Sequence, residues 1–255
     1  MSYSPTAQDV PVHVFGGPTT LIEYGGLRLL TDPTFDDPGE YQFTEDFFLV
    51  KTAPPSTPAA DIGRVDAVLL SHDEHQDNLD TAGREFLSKV PRVLTTQGGA
   101  DRLGGHSHGL QPWETAELEG LDGNKITVTA TPALHGPEGS EPIVGEVIGF
   151  ILTGQGLPTV YVSGDNASLD RVRRVADRFP DIDTAILFAG AAKVPFIDDI
   201  LTLNGQRAAD AAQLLDVRRV VPVHCDSWAH FSEGLDEIVT AFTDAGIADR
   251  LDVAR

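Results

Sequence analysis

The sequence predicts an α+β fold of two strand-rich halves with helices outside them, and three features of its pattern carry that expectation. Short apolar runs separated by glycine pairs fill the first third of the chain, and a run of five residues, DAVLL, ends abruptly in a polar stretch with two histidines. Helical and strand-like segments then alternate to the end. The 255 residues can bury a sizeable core without a covalent staple, and with no linker or internal repeat in sight we read 1–255 as one domain.

Taken in order, residues 12–15, 20–24 and 27–30 read as strands, with Gly16-Gly17 and Gly25-Gly26 as turn residues. Between residues 32 and 61 the pattern breaks into Pro, Asp and aromatic residues and ends in APPSTPAA, which excludes helix or strand there. A loop of this length serves either as a lid over a site or as a surface excursion packed by Phe43, Phe47 and Phe48. Residues 66–70 form a buried-strand run, 80–90 a helix and 93–96 the next strand. Further strands are expected at 125–131, 143–152, 159–163, 184–188 and 217–223, with helices at 168–178, 204–215 and 232–245.

Composition narrows the function. Apolar residues make up 41% of the chain and charged residues 22%, the balance of a globular protein. Eighteen basic residues against 39 acidic ones give a net charge of -21, a field that repels phosphate backbones and anionic membranes. Cys225 is the sole cysteine, which rules out a disulfide within the chain and a cysteine-rich zinc module. No leader-like N-terminal pattern and no apolar run near the ~18 residues of a membrane span are present. The expectation is a cytoplasmic protein that acts on a small molecule, with neither nucleic acid nor membrane as partner.

The chemistry lies at strand ends. His72, His135 and His224 each follow an apolar strand-like segment, His75 lies three residues beyond His72, and Asp165 follows TVYVSG in the same manner. Strand ends are where a rigid scaffold presents side chains to a shared cleft. Imidazole and carboxylate are the ligands that a borderline metal such as zinc accepts, and Asp77 adds an oxygen two residues after His75. A single loop histidine is more often an ordinary hydrogen-bonded side chain, but the repeated placement favours a common metal site.

The succession LLSHDEHQDNLD, TPALHGP, VYVSGDN and VVPVHCDSWAHF, after the opening VHVFGGPTTLIEYGGLRLLTDPTF, resembles the metallo-β-lactamase superfamily over nearly the whole chain. The similarity is to the branch of the ascorbate-phosphate lactonases and the N-acyl phosphatidylethanolamine phospholipase D-like hydrolases. It implies an αββα sandwich of two mostly antiparallel sheets with outer helices, and a one- or two-metal centre at the sheet edges. By that resemblance His72, His75 and His135 are the histidines of a first metal site, Asp165 is the carboxylate that bridges two ions, and Asp77 and His224 belong to a second. The family pattern is H-x-H-x-D-H. This chain departs from it with one extra residue between the first two histidines and with Asn78 in place of the last histidine; the alternative register would put Glu74 in the second histidine's place. Asn offers only a weak neutral oxygen, so the expectation is one tightly held ion and a substoichiometric second one. Zinc fits the histidines, and manganese or iron would accept the same set.

Around this set, Asp32 either fixes a ligand imidazole from behind or caps its Asp-Pro turn. Trp228, His230 and Phe231 either line a substrate pocket, with His230 as proton donor or oxyanion contact, or form an aromatic turn into a helix capped by Ser232. His106 and His108 read as a solvated loop and His13 as a structural strand residue, while Cys225 should point away from His224. The expected activity is a metal-dependent hydrolase in which a metal-activated hydroxide, oriented by Asp77, cleaves an ester, lactone or phosphodiester of a small metabolite. The competing expectation is a catalytically silent metal-binding relative that acts as a binding protein.

Overall fold

The computed structural model describes residues 3–4, 6, 9–120 and 123–253. Strands β1 (Val12–Gly16), β2 (Thr19–Tyr24) and β3 (Leu27–Thr31) form an antiparallel meander, followed by a separate hairpin of β4 (Gly39–Thr44) and β5 (Phe47–Lys51). Parallel strands β6 (Ala67–Leu69), β7 (Val93–Thr96) and β8 (Ser107–Leu110) extend the meander to the order β1-β2-β3-β6-β7-β8. Helices α1 (Thr81–Leu87) and α2 (Gln97–Leu103) make the crossovers. The second sheet enters at its edge with β9 (Thr115–Glu119) and β10 (Lys125–Pro132). After the short helix α3 (Glu141–Val144) come β11 (Ile148–Gly154), β12 (Thr159–Val162), β13 (Ile182–Phe188) and β14 (Arg219–Val223), each beside the last. Helices α4 (Leu169–Arg178), α5 (Gly205–Leu214) and α6 (Leu235–Asp244) cover its outer face.

Strand period 2 explains the layers. Leu29 and Ile186 face the space between the sheets, where they join Leu69, Val128, Phe150 and Val162 in one core. Their neighbours Leu30 and Leu187 face outward, Leu30 toward Phe86 and Leu87 of α1 and Leu187 toward Val172, Ala212 and Phe242 of the later helices. The result is the expected αββα sandwich. Its sheets are mixed rather than mostly antiparallel, because each is antiparallel in one half and parallel in the other where helical crossovers enter.

Five expectations are corrected. Residues 32–61 contain the β4–β5 hairpin, whose alternation of half-buried Tyr41 and Phe43 with exposed Glu40, Gln42 and Thr44 is a strand signal lost among the flanking prolines and acids. Residues 143–152 are not one strand, since Pro142 in the first turn starts α3, Gly145 ends it at φ +78°, and β11 begins only at Ile148. Helix α6 is capped at Gly234 rather than Ser232, with the Glu237 carboxylate accepting from the Gly234 N–H at 2.9 Å, the half of a capping box that a glycine allows. His108 lies on β8 rather than in a loop, although it is exposed, and His13 is exposed on β1 rather than packed. No described helix is long and apolar enough to cross a membrane.

Candidate metal centre

Sheet topology gathers the ligands. Strands β12, β13 and β14 run parallel, β11 opposes them and β10 opposes β11, so β10, β12 and β14 end at the same edge. His135, Asp165 and His224 follow these three ends, while His72 and His75 follow β6 of the other sheet. The turn before Asp165 needs Gly164: its φ is +58°, and a Cβ there would lie 2.5 Å from the Ile148 carbonyl oxygen. His224 itself adopts φ +55°, held by a 2.7 Å hydrogen bond from its N–H to the Gly17 carbonyl, with its ring between Phe188 and Phe231.

All six expected ligands converge and are buried. His72, His75, His135 and Asp165 place one donor atom each within 4.8 Å of one another, and Asp77, Asp165 and His224 do the same, so Asp165 belongs to both groups. His75 Nδ1 lies 2.9 Å from His72 Nε2 and 3.2 Å from His135 Nε2. His135 Nδ1 donates to the Leu201 carbonyl at 2.8 Å, which leaves Nε2 as a lone pair aimed at the cluster. One ring proton on His75 Nδ1 cannot satisfy both neighbours. On the other side, His224 Nε2 lies 3.3 Å from Asp77 Oδ2 and 3.4 Å from Asp165 Oδ1 without hydrogen-bond geometry to either. Asp77 Oδ1 and Asp165 Oδ2 are also buried without a hydrogen-bond partner. Such orphaned donors and facing lone pairs are costly in a dry interior, and a cation between them relieves both, so the residues fit one or two metal ions.

Electrostatics makes the first group ready for an ion, whereas His224 has a proton to give up before it can ligate one. Burial drives the His72 pKa down to about 4 and that of His75 well below its ordinary value, so both are neutral ligands at pH 7. Burial would raise Asp77 and Asp165, yet the imidazoles beside them win and hold both carboxyls ionised, His230 acting most strongly on Asp77 and His224 on Asp165. Burial would lower His224, but Asp165 and Asp77 raise it to about 10.

The surrounding residues have definite tasks. Asp32 Oδ1 accepts the Ser71 N–H at 2.6 Å, and Ser71 Oγ lies 3.0 Å from His72 Nδ1. Asp32 thus anchors the backbone before His72 and reaches the imidazole only through Ser71. Asn78 Nδ2 donates to Asp165 Oδ1 at 3.1 Å, and Glu74 turns to Arg102. The register that pairs His72 with His75 is therefore the one the fold uses, with Asp73 gripped by Arg102 and Arg84 between them. His230 Nε2 lies 3.0 Å from Asp77 Oδ2, with His230 Nδ1 buried and unpartnered. Cys225 packs with Leu187, Ala189 and Leu203 on the helical side, away from the site as expected.

Several neighbours of the site were not legible in advance. Lys51 pairs with Asp80 at 3.1 Å, and Asp80 also caps α1 through Gly83 N, tying the hairpin to the metal loop. The Phe43 ring stands 4.8 Å from the His75 ring and continues into Phe47 and Phe196. A cavity of about 340 Å³ is lined by His135 together with Gln97, Leu110, Gln111 and Ile148.

Two facing mixed sheets with a histidine–aspartate cluster at their edge define a metallohydrolase-type scaffold. Residues 27–225 match the family described as the beta-lactamase superfamily domain. The chain belongs to the metallo-β-lactamase superfamily, in the branch of its metal-dependent hydrolases that includes the UPF0173 and N-acyl-phosphatidylethanolamine phospholipase D-like proteins. It is 29% identical over 218 residues to a UPF0173 metal-dependent hydrolase of Pyrobaculum aerophilum, covering 84% of this chain and 83% of that one. It is 28% identical over 229 residues to the mitochondrial N-acyl-phosphatidylethanolamine-hydrolyzing phospholipase D of Saccharomyces cerevisiae, covering 82% of this chain but 45% of the yeast protein. In fold it is similar to a possible metal-dependent hydrolase of Veillonella parvula, with a TM-score of 0.82 at 19% identity over 97% of each chain. An isothiocyanate hydrolase from Delia radicum gut bacteria shares the fold with a TM-score of 0.79 at 20% identity, over 96% of this chain and 95% of that one.

Proposed function

We propose that the protein hydrolyses an ester, lactone or phosphodiester of a small metabolite at a zinc-preferring centre. The observation that carries this reading is the position of Asp165, shared by a group of three imidazoles and a group formed by Asp77 and His224. His72, His75, His135 and Asp165 would hold one ion tightly, and Asp77, Asp165 and His224 a second, weaker one. A divalent ion held by these residues would supply Lewis acidity, lowering the pKa of water toward 7 and polarising the bond under attack. Manganese or iron would suit the same donors.

The chain's own groups handle the protons. With Asp77 Oδ2 accepting from the His230 Nε2–H, His230 is held in the tautomer whose Nδ1 lone pair can take a proton from water and return it to the leaving group. Asp77, kept ionised, orients that imidazole and offers Oδ1 to the centre. For an ester the balance is simple: water's oxygen bonds to the carbonyl carbon, the bond to the leaving oxygen breaks, and water's two protons end on the alcohol and the acid. The net charge of -21 favours a small metabolite over nucleic acid or an anionic membrane surface.

Asn78 supports one alternative, a catalytically silent metal-binding relative, because its amide donates to Asp165 where the family pattern has a histidine. Purified protein loaded with zinc or manganese, screened against ester, lactone and phosphodiester substrates, separates the two readings. Turnover that vanishes in His72→Ala supports the enzyme; turnover unchanged in that variant removes these residues from the chemistry. Anomalous scattering from crystals of the loaded protein identifies the element and counts the ions.

A further inference from the structure

We infer that the aromatic cluster of Phe43, Phe47 and Phe196 is the substrate-binding wall of this centre, and that the substrate is an uncharged carboxylic ester or lactone carrying an apolar arm. This inference rests on the hydrolase reading above and selects among its three substrate classes.

The cluster begins at the metal site and ends in solvent. Phe43 lies 4.8 Å, ring centre to ring centre, from the ligand His75. It stacks on Phe196 at 5.8 Å with 25° between the planes, and Phe47 meets the pair edge-on at 6.1 Å from Phe43 and 5.7 Å from Phe196. Phe43 and Phe47 are half-buried, whereas Phe196 is 41% exposed. An apolar surface that is continuous from a buried ligand to an open rim is placed to remove an alkyl or aryl arm from water while the reacting carbon sits at the ions. The hairpin that supplies two of the three rings is fixed rather than loose. Thr52 N–H donates to the Ser227 carbonyl at 2.7 Å, Ala229 N–H to the Val50 carbonyl at 2.9 Å, and Lys51 is buried against Asp80.

Charge argues against an anionic substrate. The cations that the structure ties to the metal loop are committed to acids, Lys51 to Asp80 and Arg84 and Arg102 to Asp73. None of these is free to pair with a phosphodiester, and the net charge of -21 repels one on approach. Among the described residues the exposed Lys193, whose backbone N–H donates to the His230 carbonyl at 3.0 Å, is the cation beside the site that is tied to no acid. A neutral ester meets neither obstacle.

The test uses zinc-loaded full-length protein, 4-nitrophenyl octanoate and acetate, and bis(4-nitrophenyl) phosphate. Octanoate should exceed acetate at least tenfold in kcat/KM, chiefly through KM, and Phe196→Ala should bring that ratio close to one. Phe196→Leu should keep part of it. Phe48→Ala, on the same hairpin but outside the cluster, should keep all of it. Binding gives an independent readout: octanohydroxamate should bind at least tenfold more tightly than acetohydroxamate, and Phe196→Ala should erase the difference. Ester turnover without chain-length preference would overturn the aromatic wall and leave the hydrolase intact. Preference for the phosphodiester, lost in Lys193→Ala at the exposed lysine beside His230, would overturn it in favour of an anionic substrate. Hydroxamate discrimination with no turnover of any substrate would keep the wall and sink the hydrolase.

Discussion

The two halves of the metal cluster are built to different standards. The first has four donors, three of them imidazoles, and His135 and His72 are each braced from behind, by the Leu201 carbonyl and by Ser71. The second has three donors, and neither ring nitrogen of His224 has a hydrogen-bond partner. Outer contacts that fix a ligand's tautomer and direction are worth roughly 10–100-fold in metal affinity. The difference lies in the imidazoles: the first group's His72 and His135 rings are aimed by hydrogen bonds to their outer nitrogens, whereas His224 is placed by its backbone and by the Phe188 and Phe231 rings, with no hydrogen bond to either ring nitrogen.

The most severe way to break this asymmetry is to remove a braced ligand. His135→Ala should abolish tight binding of the first ion and lower kcat/KM by about a thousandfold or more, because the attacked group and the water lose their common anchor. Elemental analysis and steady-state assays check both. His224→Ala should leave one ion in place; if it strips the protein as thoroughly as His135→Ala, the two halves are equivalent and the comparison fails.

The halves should also part company with pH once the ions are chelated away. His72 has an ordinary value of 6.5 and is held at about 4 by burial, so between these values the unfolded chain binds the proton that the folded one refuses. Its contribution is complete above pH 6.5 and fades as pH falls toward 4, worth roughly 3 kcal/mol from a shift of this size. His224 runs the other way. Its folded value of about 10 exceeds 6.5, so its contribution is complete below 6.5 and is lost as pH rises toward 10. Urea unfolding of chelated protein should therefore show greatest stability near pH 6.5, and His224→Gln should remove the alkaline decline alone.

Asn78 is where the asymmetry can be reversed. Its amide donates to Asp165 Oδ1, so it steadies the shared carboxylate but gives an ion no strong lone pair. Asn78→His should tighten the second site about tenfold and bring the zinc content toward two per chain. Asn78→Ala should not, and unchanged content in Asn78→His would show that ligand number is not what limits the second ion.

What could be read in advance follows the range of the interaction. Helix starts at Asp80, Ser168 and Asn204 were legible because each cap is a local hydrogen bond three residues long. The six converging ligands were legible because each sits just beyond an apolar strand run, and their order along the chain carried the family pattern. Phe43 and Phe47 were legible as packing residues of their segment, but the hairpin and its meeting with Phe196 were not, because Phe43 meets Phe196 across more than 150 residues and only the folded sheets bring them together. Nor was the tautomer of His135, which depends on a backbone carbonyl 66 residues away.

The smallest expected effect concerns the loop that serves both halves. Asp73 stands between His72 and His75, buried, with Arg102 Nε 3.0 Å from its Oδ1 and Arg84 Nη1 3.7 Å from its Oδ2. A buried carboxylate stripped of all partners is costly, but Arg102→Gln leaves Arg84 in place, and the Arg102 side chain is 48% exposed, so solvent already screens its pairing. The loss should be about 1 kcal/mol of stability in thermal unfolding and a few-fold in affinity for the first ion, with the second less affected because Asp77 lies further along the loop. An equal weakening of both ions would mean that the arginine clamp holds the whole loop rather than the span between the two histidines.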